Sequence, residues 1–316
     1  MKKNILGKTG IQVTELCFGA LPMGPIQKNL SVEEATEVVA CALENGITFV
    51  DTAQIYKTYS PIKAAIKKTG IRPVIASKST AASYDEMEKA VKEALDGMGI
   101  DYIDIFHLHA PKANPDVFDI RKGALQCLLD YKSRGIIKAV GISTHNVKVV
   151  EAAAERQDLD IVFPLLNKAG RGIVGGTEKE MRAAISRCRQ NGKGIYLMKV
   201  LGGGTLLDEY SECLEYARNL DCYDSIAVGM VSKEEVIYNV RYFNNEKNME
   251  KIIITKNRKR VQVLQGACIS CGKCIEVCHS SAPSFDHKGK SYIDQSKCIQ
   301  CGYCIPECPA FAIRMA

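Results

Sequence analysis

A (β/α)8 TIM barrel followed by a small α+β domain is the α/β fold class this sequence predicts, and three observations predict it. From about residue 15 to about 230, short apolar runs rich in β-branched residues alternate with longer stretches of helical periodicity. The alternation supplies eight strand–helix units, the number that closes a barrel, although an open doubly wound sheet uses the same units. The chain then changes character: of its 14 cysteines, eight fall between Cys268 and Cys308, in two runs of identical spacing.

The first segment, Asn4–Val13, carries Gly7 and Gly10 and predicts a small hairpin closing the barrel bottom. Strands are predicted near Leu16–Gly19, Thr48–Thr52, Val74–Ser77, Ile103–His109, Ala139–Ser143, Ile161–Leu165, Gly194–Val200 and Ser225–Gly229. Helix starts follow from capping-box spacing at Ser31 and Glu34, Ser83 and Glu86, and Ser232 and Glu235. A last barrel helix is expected around Lys233–Asn245. Beyond it, the short apolar runs Ile252–Thr255 and Val261–Leu264 flank a basic turn, Lys256–Arg260. The domain boundary is therefore placed between about 247 and 260, giving a barrel over 1–250 and a small domain over 251–316.

Composition narrows the possibilities. With 46% hydrophobic and 25% charged residues, 316 residues suit one large globular domain plus a small one. No apolar run approaches the roughly 18 residues that span a bilayer. No apolar stretch follows Met1-Lys2-Lys3-Asn4 in the manner of a secretion signal. The net charge of +6 is modest, and its densest run, Arg258-Lys259-Arg260, reads as a solvated linker rather than a nucleic-acid site. A cytoplasmic, reducing environment is expected, where clustered cysteines hold metal rather than form disulfides. The scattered Cys17, Cys41, Cys127, Cys188, Cys213 and Cys222 read as small buried apolar residues.

The cysteine runs are Cys268-x2-Cys271-x2-Cys274-x3-Cys278 and Cys298-x2-Cys301-x2-Cys304-x3-Cys308, the second followed by Pro309. Three thiolates at this spacing wrap one face of a [4Fe–4S] cubane; the fourth points away, at the start of a helix, and reaches the other cluster. One cluster is then expected on Cys268, Cys271, Cys274 and Cys308, and the other on Cys298, Cys301, Cys304 and Cys278. Structural zinc is the alternative, but a tetrahedral ion uses four ligands, usually in separated pairs. Residues Val261–Met315 resemble the bacterial two-cluster ferredoxins, with one departure: His279 follows Cys278 where that family has proline.

In the barrel, active sites lie at the carboxyl ends of the strands. Those positions hold Asp51 and Tyr56 after the second strand, Lys78 after the third and His109 after the fourth. The segments Phe49-Val50-Asp51-Thr52-Ala53-Gln54-Ile55-Tyr56, Val74-Ile75-Ala76-Ser77-Lys78 and Tyr102–Pro111 resemble the aldo-keto reductases. Leu6-Gly7-Lys8-Thr9-Gly10 and Gly141-Ile142-Ser143 fit the same family, over about residues 4–245. The resemblance is to members with a C-terminal ferredoxin domain. It implies reduction of a carbonyl-type small molecule, hydride going to carbon and a proton to oxygen. Tyr56 would be the acid, Lys78 would lower the phenol's pKa, Asp51 would hold the ammonium, and His109 would orient the carbonyl oxygen. Strand alternation puts His107 one layer below His109, either as a hydrogen-bonded core histidine or as a proton relay. Tyr59 is read as structural.

A nicotinamide cofactor, NADPH or NADH, is expected on the loops after the seventh and eighth strands. The residues are Lys199, Gly202, Gly203, Gly229, Ser232 and Asn239, with Gly204 and Lys233 beside them, and Ser143 at the end of the fifth strand. Compared with the family, Thr144 replaces asparagine, Phe163 glutamine, Met198 tyrosine and Glu235 arginine. A second tension is electronic. Nicotinamide passes a hydride, whereas clusters pass single electrons, and a group such as a flavin couples the two. The sequence leaves three roles for the clusters: exchange with the barrel site, exchange with an external ferredoxin or flavodoxin-like carrier, or structure alone.

Overall fold

The computed structural model describes residues 1–247, 249 and 260–315. The run Ile252–Thr255, most of the basic turn and the expected domain boundary lie outside the described residues. Strands β1 (Lys3–Ile5) and β2 (Gln12–Thr14) form the expected antiparallel hairpin. Eight parallel strands follow: β3 (Leu16–Gly19), β4 (Phe49–Asp51), β5 (Val74–Ser79), β6 (Ile103–His109), β7 (Ile137–Thr144), β8 (Ile161–Pro164), β9 (Gly194–Leu197) and β10 (Ser225–Gly229). They close into a barrel, with β10 pairing both β9 and β3, so the open-sheet alternative is excluded.

The outer ring comprises α1 (Val32–Glu44), α2 (Tyr59–Thr69), α3 (Tyr84–Met98), α4 (Val117–Ile120), α5 (Lys122–Ser133), α6 (Val147–Glu155), α7 (Glu178–Gln190), α8 (Tyr210–Arg218) and α9 (Lys233–Phe243). Ser31 and Ser83 form full capping boxes with Glu34 and Glu86, and so does Thr177 with Glu180. At α9 only half of the expected box forms. The Ser232 side chain accepts from the Glu235 amide, while the Glu235 carboxylate reaches the Val231 amide instead.

The core has two layers. Apolar residues of the helices meet the outward faces of the strands. Inside the barrel, Cys17, Phe49, Ala76, Ile105, Ala139, Ile161 and Tyr196 fill the lumen, and Leu6 and Val13 of the hairpin seal its bottom. A β-carbon at Gly7 would lie 2.3 Å from the Gly194 amide nitrogen, so glycine lets the hairpin touch the start of β9. Strand β9 stops at Leu197, earlier than the sequence suggests, because Lys199 takes a left-handed conformation and Gly202–Gly204 forms a tight turn.

The C-terminal domain contains β11 (Val261–Val263), α10 (Lys273–Val277), β12 (Pro283–Phe285), β13 (Ser291–Ile293) and β14 (Ile313–Met315). Strand β11 pairs antiparallel with β14, and β12 with β13. Cys278 closes α10 rather than starting a helix, so the fourth cysteine of the first run is delivered by a helix C-terminus. The domain sits on the barrel mouth. The Arg171 guanidinium donates to the carbonyls of Gln295, Ser296 and Cys298, and the Lys112 ammonium to those of Ile275 and Glu276 at the end of α10. Among the described residues, no helix is long and apolar enough to cross a membrane.

Candidate active site and cluster cradles

The barrel register brings the strand-end residues to one level. Asp51 pairs with Ala76, Lys78 with His107, and His109 with Ser143. Tyr56 lies in a short 3-10 turn directly after β4. Lys78, almost wholly buried, donates to Asp51 Oδ2 at 2.6 Å and to the Thr52 carbonyl at 2.7 Å. Its ammonium also lies over the Tyr56 ring, 4.7 Å from the centroid. The His109 ring stands edge-on to Tyr56 at 6.1 Å. All four predicted tetrad residues thus converge.

Burial dominates their ionisation. It pushes the Asp51 carboxyl up and the Lys78 ammonium down, while each partner pulls the other back toward its charged form. His109 is held neutral by burial, reinforced by Lys78. The Tyr56 phenol moves up rather than down, chiefly through burial and then through Tyr303. The expected lowering by Lys78 is outweighed because the ring sits in a site closed by the C-terminal domain.

Three further groups hold this site, and the sequence reading missed them. Tyr196 of β9 donates to Asp51 Oδ1 at 3.0 Å, and its hydroxyl meets His107 Nε2 at 2.6 Å. His107 is therefore a hydrogen-bonded core histidine, linked through Tyr196 to the Asp51–Lys78 pair. Alternation along β9 points Tyr196 inward, a signal the sequence did carry. The Arg121 guanidinium donates to the carbonyls of Ser79, Ala81 and His109, tying together the ends of β5 and β6. Tyr303, between Cys301 and Cys304, reaches down from the last domain. It packs against Tyr56, whose phenol it helps to raise, and lies edge-on to His109. Tyr59 is structural, bonding Ser77 Oγ at 2.8 Å.

A cavity of about 210 Å3 extends from Asp51 and Tyr56, past Lys199 and Gly229, to Val231 and Glu235. Gln300, Cys301 and Met315 of the last domain form part of its wall, and its volume is below the roughly 300–1,000 Å3 of typical ligand clefts. Of the residues expected at the cofactor, Lys199, Gly203 and Gly229 line it. Ser143 and Gly202 are buried and are not part of its wall. Ser232 is occupied as the cap of α9, and Asn239 is fully buried, bonded to the Tyr210 hydroxyl and the Glu235 carbonyl. Gly203 also has a second use: with φ +72 it lies so close to the last domain that a β-carbon would sit 2.1 Å from the Ile299 carbonyl oxygen. Phe163 and Met198 occupy the cavity wall where the family's glutamine and tyrosine were expected.

The last domain contains two small cavities. One is lined by Cys268, Cys271, Cys274 and Cys308, the other by Cys278, Cys298, Cys301 and Cys304. These are the crossed sets the spacing predicts. Among the described residues, no three His, Cys, Asp or Glu side chains are grouped to hold a single metal ion. Four thiols ringing a cavity suit a larger group, a [4Fe–4S] cubane, better than zinc. Backbone amides aim at the sulfurs: Ser270 at Cys268, Ala282 at Cys278, Gln300 at Cys298 and Ala312 at Cys308, at 3.3–3.4 Å. Such donors stabilise anionic sulfur and tune cluster potentials. His279 is not among the residues lining either cradle; it packs edge-on against His145 of the barrel and Tyr303.

The model of the aldo/keto reductase family matches residues 15–268, and that of the 4Fe-4S dicluster domain matches residues 267–312. Among similar proteins, a glyoxal reductase of Bacillus subtilis is 30% identical over 180 residues, 55% of this chain and 61% of its own. A probable voltage-gated potassium channel subunit beta of Arabidopsis thaliana is 24% identical over 229 residues, 67% of each chain. The chain thus spans about two thirds or less of these relatives. The holo form of an aldo-keto reductase from Bacillus halodurans superposes with a TM-score of 0.63 at 20% identity, covering 81% of this chain and 94% of the other, which supports the fold.

Proposed function

Because the chain belongs to the aldo/keto reductase family and ends in a 4Fe-4S dicluster domain, we propose that it is an oxidoreductase that reduces a carbonyl-type small molecule at the barrel mouth and exchanges electrons between that site and its clusters. One observation carries this reading: Cys301, a ligand in one cluster cradle, lines the same cavity as Tyr56 and Asp51.

In this reading Tyr56 donates its proton to the substrate oxygen as hydride arrives at carbon. His109, neutral at physiological pH, orients that oxygen. Lys78, fixed by Asp51 and the Thr52 carbonyl, keeps a positive charge beside the phenol as negative charge develops on it. Tyr196 and His107 hold Asp51 from the far side. The cleft past Lys199 and Gly229 would hold a nicotinamide, which supplies the hydride. The two cysteine rings would hold clusters, which supply single-electron exchange with the site or with an external ferredoxin or flavodoxin-like carrier. A flavin is the group that would couple the two modes of transfer.

The test is anaerobic mixing of cluster-loaded protein with NADH and then NADPH, following nicotinamide absorbance and the cluster visible band together, with EPR. Bleaching of the cluster band as nicotinamide oxidises supports exchange. A silent band throughout turnover of a carbonyl substrate would reduce the clusters to structure. The Phe163 and Met198 substitutions and the narrowed cleft favour a second reading, a nucleotide-binding electron-transfer or redox-sensing module that turns nothing over. Robust multiple turnover of any carbonyl compound rejects it.

A further inference from the structure

The two cysteine runs fold alike. Ser270 and Gln300, two residues after the first cysteine of each run, take a left-handed backbone at φ +59 and +51, and Gly272 and Gly302 do so at φ +76 and +78. Each cradle is lined by the isoleucine of its own loop, Ile269 in one and Ile299 in the other, so whatever fills the cradles covers the two alike. Their surroundings nevertheless differ. Ile299 is 1% exposed and packs on Gly172 and Gly203 of the barrel, while Gly302 closes on the Ile26 carbonyl. Tyr303 is buried against Tyr56. Position for position, Ile269 is 63% exposed, and Ser270, Cys271 and Lys273 are exposed with it. One loop docks on the barrel, and its counterpart offers the same apolar tip to solvent.

That tip is not isolated. The exposed Phe285 of β12 reaches Gly272, where a β-carbon would lie 3.8 Å from its ring. Phe311 stands between Ala310 and Ala312, which line the same cradle as Ile269. It is 78% exposed at φ +50, a backbone conformation that costs a bulky side chain free energy. The equivalent residue beside the other cradle, at φ +51, is Ser281. Exposed apolar residues gathered on one face mark a contact surface, whereas scattered single ones do not. The charge beside them is positive. Lys273 takes the place that Tyr303 has in the second run, and Lys290 donates to the Cys268 carbonyl at 2.5 Å, with Lys288 two residues away in the hairpin turn. Asp286, the acid of that turn, accepts from the backbone amides of Lys288 and Lys290. The exposed acids Glu276 and Glu307 lie in the turns that lead into Cys278 and Cys308, not in the loop or the hairpin.

We propose that loop 269–273, with Phe285 and Phe311, is the docking face for an acidic one-electron carrier protein, so that the cradle of the first run is the outer one and that of the second run the inner one. This rests on the reading of the clusters as redox partners of the barrel site. Cys301 of the inner cradle lines the barrel mouth, and Ile269 and Cys271 of the outer cradle face the carrier. Exchange moves one electron: the carrier loses it and the outer cluster gains it, or the reverse, and no bond forms or breaks. An apolar centre with a basic rim suits a transient complex whose encounter is steered by charge.

The experiment uses the cluster-loaded full chain under anaerobic conditions. The probes are a plant-type [2Fe–2S] ferredoxin and a flavodoxin, both acidic, with the basic cytochrome c as the contrast. Calorimetry reads binding, and stopped-flow mixing with the photoreduced acidic probes reads electron exchange, each at low and at high salt. Iron content and the visible band confirm that Ile269→Ser, Lys273→Glu and Phe311→Ser are loaded. Ile120→Ser, which alters an exposed apolar residue on α4 of the barrel, is the control. At least one acidic carrier is expected to bind and exchange, at a rate that falls about ten-fold between low and high salt. Lys273→Glu should slow the low-salt exchange by about ten-fold. Ile269→Ser and Phe311→Ser should each weaken binding by about five-fold, and Ile120→Ser should change neither quantity. Binding of neither acidic carrier, binding without exchange, tighter binding of cytochrome c, or indifference to all three substitutions overturns the docking face. A dimer seen by light scattering that Phe311→Ser dissociates assigns the face to a second copy of this chain and also overturns it. The two readings fail separately. Face-dependent exchange in a protein that turns over no carbonyl compound removes the reduction reading alone, whereas carbonyl turnover with carriers indifferent to the face removes the docking face alone.

Discussion

The phenol of Tyr56, the group expected to serve a substrate oxygen, packs against the phenol of Tyr303 from the cluster domain, and that neighbour adds to burial in raising its pKa. Tyr303 is buried between Cys301 and Cys304, and it packs with Ile26, Ala53 and Tyr56. The proposed acid of the barrel and a cysteine-bearing loop of the last domain therefore share one buried contact.

Tyr303→Phe removes the competitor and leaves the ring. Loss of the hydroxyl packed beside the buried Tyr56 phenol should cost the free protein about 1 kcal/mol of stability. Part of that is recovered when a substrate oxygen takes the place. The expected outcome is a lower urea midpoint together with a KM for small carbonyl substrates reduced by about five-fold, kcat changing little. An unchanged KM with full stability would show that the two hydroxyls do not compete with substrate.

Tyr196→Phe tests the chain behind the tetrad. It deprives Asp51 of one donor and His107 of its partner, two buried losses that together should cost about 2–4 kcal/mol. With its charged form less stabilised, Asp51 holds the Lys78 cation less well. The Lys78 pKa then falls further, and the alkaline limb of the kcat profile moves to lower pH. Urea melts and a pH–rate profile read these effects separately. A purely structural Tyr196 would lower the melt and leave the profile in place.

The crossed cysteines give an iron count. If Cys278 serves the ring of Cys298, Cys301 and Cys304, then Cys278→Ser and Cys304→Ser should damage the same cluster, and Cys308→Ser the other. Each variant should retain roughly half the iron of a two-cluster chain. The EPR spectra of Cys278→Ser and Cys304→Ser should resemble each other and differ from that of Cys308→Ser. Pairing of Cys278→Ser with Cys268→Ser instead would mean that each run holds its own cluster.

Much of this architecture was legible because it rests on local patterns. The eight strands follow from β-branched runs, and the tetrad from their ends; the two cradles follow from cysteine spacing, since the fourth cysteine of each run lies beyond the reach of its own three. Contacts between the two domains were not legible. Nothing in the spacing distinguishes Tyr303 from an ordinary filler between cysteines, nor Gly203 from a phosphate-loop glycine. Their roles depend on how the last domain sits on the barrel, and the burial of Asn239 depends on Tyr210 of another helix.

Docking itself is testable at Gly203. A side chain there would collide with the Ile299 carbonyl, a backbone atom that cannot swing away. Gly204 has φ +99, but a β-carbon added there would meet nothing within 4 Å, so Gly204→Ala carries backbone strain alone. Gly203→Val should raise hydrogen exchange at Ile26 and Gly302, which are in backbone contact across the same interface, while Gly204→Ala should not. Equal protection in both variants would mean the contact does not hold the domains together.

Acid sensitivity follows from three barrel histidines. His107, His109 and His145 are buried, and burial, reinforced by Lys78 or Lys199, depresses each pKa well below the ordinary 6.5. In the unfolded chain they take up protons as pH falls through about 6.5, whereas in the folded chain they stay neutral. The unfolded state then binds more protons, so stability is full above pH 7 and falls as pH drops below 6.5, each histidine contributing up to about 1.4 kcal/mol per pH unit. Asp51, whose carboxyl is raised by burial, acts in the opposite sense once pH approaches its folded value, because there the folded state holds the extra proton. Urea melts of the barrel, followed by far-ultraviolet circular dichroism at pH 7.5, 6.5 and 5.5, should show a small change over the first step and a steep loss over the second. His145→Asn, which removes one of the three titrations, should flatten that second step by about a third. A profile level down to pH 5.5 would mean that the histidines already share solvent protons in the folded protein.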